Sequence, residues 1–145
     1  MTQPASSPEP KPLTLDGAGV RLQGYDYGNA MGRPLVLVHG IEDFALALEP
    51  LAEAFRANYH VVSFDLRGHG DSRRGPRGDI SYRDFNSEDW AAAVRDVDAG
   101  ARWLAERGYQ MSDCVLVGSS IGSSLAVRYA GESSTSAPTS GCSPA

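Results

Sequence analysis

Three short apolar runs constrain this chain more than any other feature: PLVLV (Pro34–Val38), HVVSFD (His60–Asp65) and CVLV (Cys114–Val117). A run of this length without alternation is the pattern of a strand buried on both faces. Helical patterns lie between the runs. Pro50 suits the first residue of a helix, where a missing N–H costs nothing, with Leu51, Ala54 and Phe55 turned inward. Residues 86–108 carry the clearest helix. Asn86 or Ser87 can cap it, and Glu88 and Asp89 suit its positive amino end. Trp90, Val94, Val97, Ala101 and Leu104 form one apolar stripe, and Gly108 ends it. Buried strands alternating with helices predict a parallel sheet with right-handed crossovers.

The first and last segments differ in kind. Residues 1–12 hold Pro4, Pro8, Pro10 and Pro12 without apolar periodicity, which predicts a disordered leader. Leu13 to Asn29 has two alternating segments around Asp16-Gly17 and Gly19, the pattern of a hairpin. From Glu132 the composition turns to Ser, Thr, Pro and Gly, which predicts a disordered tail over 132–145. The expected folded unit is therefore 13–131, with its last helix closing near Gly131 and five strands in all.

Charge and composition exclude several functions. A net charge of −5 argues against a nucleic-acid or anionic-membrane partner, since phosphate binding needs a clustered basic face. The densest basic stretch, RRGPRG (Arg73–Gly78), sits among Gly and Pro and is expected to be a solvated loop. No run approaches the length of a membrane helix, and the amino terminus has no apolar core of the secretory kind. Cys114 and Cys142 do not form a disulfide framework. A cytoplasmic location is the expectation. A nucleotide-binding domain is disfavoured, because neither G-x-x-x-x-G-K-[ST] nor a G-x-G-x-x-G string after a buried strand occurs.

The chemistry concentrates where the third run ends. Gly118-Ser119-Ser120-Ile121-Gly122 fits G-x-S-x-G between a buried strand and a helix. In such a sharp turn, a Cβ two residues before or after the serine would collide with neighbouring backbone, and glycine removes the clash. Ser120 would then stand at the tip of the turn, at the amino end of a helix whose dipole favours negative charge. Taken alone, the segment also fits a glycine-rich turn in which Ser120 merely caps the helix.

Two further segments bear on that choice. LVLVHG (Leu35–Gly40) and FDLRGHGDS (Phe64–Ser72) each close a strand, and together with LVGSSIGSSLAVRYA they resemble the α/β-hydrolase superfamily in order and separation. RGPRGDISYRDF and EDWAAAVRDVDAGARWLAERG are similar to a branch with esterase-like or dienelactone-hydrolase-like members. The resemblance implies a parallel-sheet α/β-hydrolase fold and hydrolysis of an ester or related acyl compound at a serine. It implies Ser120 as nucleophile and the backbone N–H groups of Ile121 and Ile41 as oxyanion donors. His39 and Gly40 would shape the oxyanion loop, His69 and Asp65 with Arg67 would be structural, and no metal or organic cofactor is implied. Ser119 and Ser123 depart from residues common in relatives, but both are small.

The resemblance also implies partners for the serine: an Asp or Glu and then a His, in that order after it. Ser120 is followed by one acidic residue, Glu132, which comes directly past the helix and too early, and by no histidine. The fold of the superfamily has about eight strands, so the expectation is a form truncated after the elbow helix and inactive alone. Its small-molecule acyl substrate would belong to the parent enzyme. CVLV would become an exposed sheet edge able to drive self-association. The rival is a non-catalytic fragment or a partner-dependent interaction module.

Overall fold

The computed structural model describes residues 8–136 and 143–144, with side chains as far as Glu132. Strands β1 (Lys11–Asp16) and β2 (Arg21–Asp26) form the expected hairpin, paired antiparallel in the register Leu15↔Leu22. Its turn places Ala18 at φ +56° and Gly19 at φ +95°, closed by Gly17 N–H donating to Val20 O at 2.8 Å. Two left-handed residues in succession match the twist of a two-residue hairpin. β1 begins at Lys11, inside the segment read as a leader; the rest of that segment before Pro8 lies outside the described residues.

The apolar runs become β3 (Arg33–Val38), β4 (Tyr59–Phe64) and β7 (Val115–Gly118). β3 lies between β4 and β7 and is parallel to both, with Val36 opposite Val62 and Leu116. The two-residue strands β5 (Arg74–Gly75) and β6 (Gly78–Asp79) turn the basic stretch into a small hairpin beside β2. β8 (Ser143–Pro144) runs parallel to β7. The order is β6-β5-β2-β4-β3-β7-β8, with β1 also on β2. The sheet is thus mixed, because the amino-terminal hairpin enters antiparallel to β4. The edge of β7, expected to be bare, is met by β8 at Val115 and Leu116.

Helices α1 (Glu49–Phe55), α2 (Ser87–Ala92), α3 (Val94–Ala105) and α4 (Ile121–Ser136) cover the sheet. Pro50 sits in the first turn of α1, but Leu51 and Ala54 face solvent and Ala52 is the buried contact. The short helix turns Ala52 onto the core beside Tyr27, Leu35 and Leu37. The helix read over 86–108 is broken at Ala93 into α2 and α3, and its expected cap is present: Asn86 Oδ1 accepts from Asp89 N and Asp89 Oδ2 from Asn86 N. Val94, Val97, Ala101 and Leu104 are fully buried as the stripe required. α4 continues past Gly131 to Ser136; residues 137–142 and 145 of the expected tail lie outside the described residues.

Alternation along β3 divides the core. Val36 and Val38 pack with Val62, Phe64 and the faces of α3 and α4, while Leu35 and Leu37 pack with Tyr27, Ala52 and Val61 under α1. The loops leaving the carboxyl ends of β3, β4 and β7 emerge along one edge of the sheet.

Candidate active site

The turn from β7 into α4 is closed by backbone bonds, one of them to β3. Ser119 N–H donates to Val38 O at 3.0 Å, Gly122 N–H to Ser119 O at 2.9 Å and Ser123 N–H to Ser120 O at 3.0 Å. Ser120 is left at φ +56°, in the left-handed region that a residue with a Cβ rarely occupies. Its neighbours explain how the chain tolerates this. A Cβ on Gly118 would stand 2.5 Å from the carbonyl of Gly122, and one on Gly122 would stand 2.4 Å from Val38 O. Both separations are far inside van der Waals contact, so α4 can start this close to β3 only with glycine at both sites. Ser123 Oγ donates to Gly118 O at 2.7 Å and ties the turn to the first coil of the helix. Ser120 itself is exposed at the tip.

The loop after β3 lies directly against this turn: the Cβ direction of Gly40 points at Ser120 Cβ from 3.0 Å. Among the described residues, neither the Ile41 N–H nor the Ile121 N–H has a hydrogen-bond acceptor. Ile41 follows Gly40 in the loop that touches Ser120, and Ile121 follows Ser120 itself, so the chain brings one backbone N–H from each loop next to the turn. His39 does not offer itself as a base. Its Nε2 accepts the Leu66 N–H at 2.9 Å, which fixes the proton on Nδ1, and Nδ1–H donates to Gly40 O at 2.6 Å. Burial pushes its pKa below the ordinary value, so the ring stays neutral and holds the two loops together.

The loop after β4 is built by buried charge. Asp65 accepts from Ala45 N at 2.7 Å and from Asp71 N at 3.0 Å. Arg67 meets Asp96 of α3 through Nε at 2.9 Å and Nη2 at 2.8 Å, and Arg67 N–H also donates to Asp96 at 2.8 Å. Desolvation pushes the Asp96 carboxyl up to about 6, against the opposing pull of Arg67. His69 donates from Nδ1 to Arg67 O at 3.0 Å and stacks on Tyr82 at 4.4 Å, while its buried Nε2 has no partner. Burial lowers its pKa too.

Other ionisable groups stand elsewhere. His60, at the opposite end of β4, bridges Asp26 at 2.7 Å and Tyr109 Oη at 2.6 Å. Glu132 accepts a hydrogen bond from Arg95. Sequence reading missed Asp96, although Ala93, Asp96 and Gly100 form a second row of buried positions beside the apolar stripe. Among the described residues, no group of three His, Cys, Asp or Glu side chains could hold a metal ion. No helix there is long and apolar enough to cross a membrane.

Strand order, elbow and flanking loops agree with a match over residues 35–143 to the Alpha/beta hydrolase family. The chain belongs to that family. Over 91 residues it is 37% identical to (E)-2-((N-methylformamido)methylene)succinate hydrolase of Acinetobacter baylyi, covering 62% of this chain and 33% of the relative. Over 115 residues it is 32% identical to Epoxide hydrolase 4 of Mus musculus, covering 79% of this chain and 28% of the relative. Among solved structures, an N-formylmaleamic acid deformylase from Pseudomonas putida S16 superposes with a TM-score of 0.65 at 27% identity. That match covers 86% of this chain and 42% of the deformylase. The chain thus spans less than half the length of each of these relatives.

Proposed function

We propose that this chain carries the nucleophile and oxyanion site of a serine hydrolase acting on an ester, amide or related acyl compound. Ser120 is the nucleophile, Ile121 N–H and Ile41 N–H are the oxyanion donors, Gly118 and Gly122 permit the elbow, and His39 and Gly40 shape the oxyanion loop. The observation that carries this reading is the left-handed backbone of Ser120 between two glycines that admit no Cβ. A helix cap needs no such strain, whereas a nucleophile pushed out of its turn does.

Chemistry chooses among the activities of the relatives. A serine hydroxyl adding to an epoxide would leave an ether, which water does not cleave. Adding to an acyl carbon, it gives an acyl-enzyme that water can hydrolyse. The names of two relatives, a formamido-methylene-succinate hydrolase and a deformylase, fall on the acyl side. Ser120 therefore supports acyl over epoxide chemistry.

Among the described residues no general base is hydrogen-bonded to Ser120. His39 spends both ring nitrogens on backbone, and no histidine follows the elbow. Acylation at Ser120 is then slow, and deacylation, which needs a base to activate water, is slower still. The test is mass spectrometry after incubation with p-nitrophenyl acetate. Lys11 is the sole lysine, so background acetylation of amines is confined to it and the amino terminus, and thioesters formed at cysteine are removed with hydroxylamine before analysis. The expected result is acetyl on Ser120, absent in Ser120→Ala, with turnover no better than in that variant. Steady turnover lost in Ser120→Ala and falling steeply in His39→Ala would overturn the assignment of His39. Acetyl found on Lys11 alone would overturn the nucleophile.

A further inference from the structure

Beside the oxyanion loop opens a cavity of about 500 Å³, walled by Glu42, Asp43 and Phe44 on one side and by Arg73, Tyr82 and Arg83 on the other. Its acidic wall follows Ile41 directly, so it starts within roughly 8 Å of Gly40, at about 3.8 Å per residue. Gly40 in turn abuts Ser120. The cavity therefore opens off the loop that touches Ser120.

The Tyr82–Arg83 part of the basic wall is tethered to its surroundings. The turn Tyr82–Asp84 is capped by Ser81 Oγ, which accepts Arg83 N–H at 3.3 Å. Tyr82 N–H donates to Gly68 O at 3.1 Å, and the Tyr82 ring lies flat on buried His69. Arg83 is steadied by Nε donating to Tyr82 Oη at 3.4 Å and by the ring beneath its guanidinium at 5.8 Å. That leaves both Nη groups for a ligand. Among the described residues, neither Arg83 nor Arg73 forms an ion pair with a carboxylate.

The acidic wall is less available. Asp43 Oδ1 accepts the Phe44 N–H at 3.0 Å. Glu42, exposed at φ +65°, lines the same cavity as Arg83 and forms no ion pair with it. Glu42 stands where a ligand carboxylate would compete for the same guanidinium.

We propose that this cavity is a carboxylate subsite, in which Arg83 and Arg73 bind a second, anionic end of the acyl substrate while its carbonyl lies at Ser120. The substrate class is then an ester or amide of a short dicarboxylic acid. The planar fork of arginine matches a carboxylate through two parallel hydrogen bonds, which neutral acyl chains cannot use. This inference rests on Ser120 as the nucleophile.

Two measurements separate the two ideas. Acylation of Ser120 by mono-4-nitrophenyl succinate is compared with that by 4-nitrophenyl butyrate, a neutral chain of the same length. A charge-assisted pair of bonds predicts a rate ratio of about tenfold in favour of the succinyl ester. The ratio is expected to fall towards one in Arg83→Gln, to fall part-way in Arg73→Gln and to rise in Glu42→Gln. Equal rates in the unaltered chain, or a ratio indifferent to both arginine substitutions, overturn the subsite. Glutarate binding, followed on the guanidinium Nε–H NMR signals with glutaramide as the neutral control, reads the cavity without any chemistry at Ser120. Shifts with glutarate alone support the subsite even if neither ester acylates Ser120, a result that would instead defeat the nucleophile. No difference between the two ligands overturns the subsite whatever Ser120 does.

Discussion

Two turns leave the same edge of the sheet and solve the same steric problem in opposite ways. In the loop after β4, the left-handed positions are glycines: Gly68 at φ +77° and Gly70 at φ +47°. In the turn after β7, the left-handed position is a serine, and the flanking glycines Gly118 and Gly122 have ordinary backbone angles. Glycine supplies both conformation and space in the first case, where a Cβ would stand 2.7 Å from Tyr82 N at Gly68 and 2.5 Å from Asp65 Oδ2 at Gly70, and space alone in the second. The β4 loop is then held by buried side-chain charge, with Arg67 on Asp96 and Asp65 on two backbone amides. The elbow is held by backbone bonds and close approach. One turn has relieved its strain and serves as a scaffold; the other keeps strain at the residue that must project.

The largest expected effect tests the claim about space. In Gly122→Ala the new Cβ would lie 2.4 Å from Val38 O and 2.5 Å from His39 O, both backbone atoms that cannot swing aside. α4 would have to retreat from β3, so the loss of stability is expected to reach about 3 kcal/mol or more by urea unfolding. Gly131→Ala in the same helix is the control. Among the described residues its Cβ would meet nothing within 4 Å, and alanine there should stabilise the helix by about 0.5–1 kcal/mol. Equal effects at the two sites would break the distinction between the turns.

How much of this was legible in the sequence follows from which forces are local. The strands β3, β4 and β7 announce themselves because a run of apolar residues has one low-energy fate, and the Asn86 cap because its partner lies three residues on. Gly118 was legible for the same reason, since its constraint comes from Gly122 and Ser123, whereas the atoms that crowd Gly122 belong to Val38 and His39, and its place in the G-x-S-x-G pattern is what marked it. The inward face of α1 was not. Whether Leu51 or Ala52 turns inward depends on how near the helix can come to Tyr27 and Leu37, which no local pattern encodes. Nor was the Arg67–Asp96 pair, whose members are far apart in sequence and meet only once α3 has docked.

That pair gives the second test, because a turn held by charge should respond to pH and one held by backbone should not. Burial raises the Asp96 carboxyl from 3.8 to about 6 in the folded protein, so folding favours its protonated form. The stabilisation is complete below about pH 4 and is lost as pH rises through about 6. His39 acts in the opposite sense: its lowered pKa stabilises above 6.5, and that contribution fades on acidification. Subtracting the stability profile of Asp96→Asn from that of the unaltered chain isolates the first contribution. The difference is expected to rise as pH falls from 6 to 4, and a flat or falling difference would show that Arg67 outweighs desolvation at this carboxyl.

The smallest effect is the most telling about function. If Ser120 holds a left-handed backbone at a cost, Ser120→Gly should relieve it. A residue with a Cβ in that region carries about 1–2 kcal/mol, and glycine gives back part of the gain through the freedom it loses on folding. A net stabilisation of about 1 kcal/mol is expected by urea unfolding, together with loss of all acetylation at residue 120. Ser120→Ala removes the hydroxyl but keeps the Cβ, so it should abolish acetylation while leaving stability nearly unchanged. The pair of variants separates the hydroxyl from the strain. If Ser120→Gly destabilised the chain as much as an ordinary cap loss, about 1 kcal/mol in the other direction, the serine would be holding the helix end rather than being held out by it.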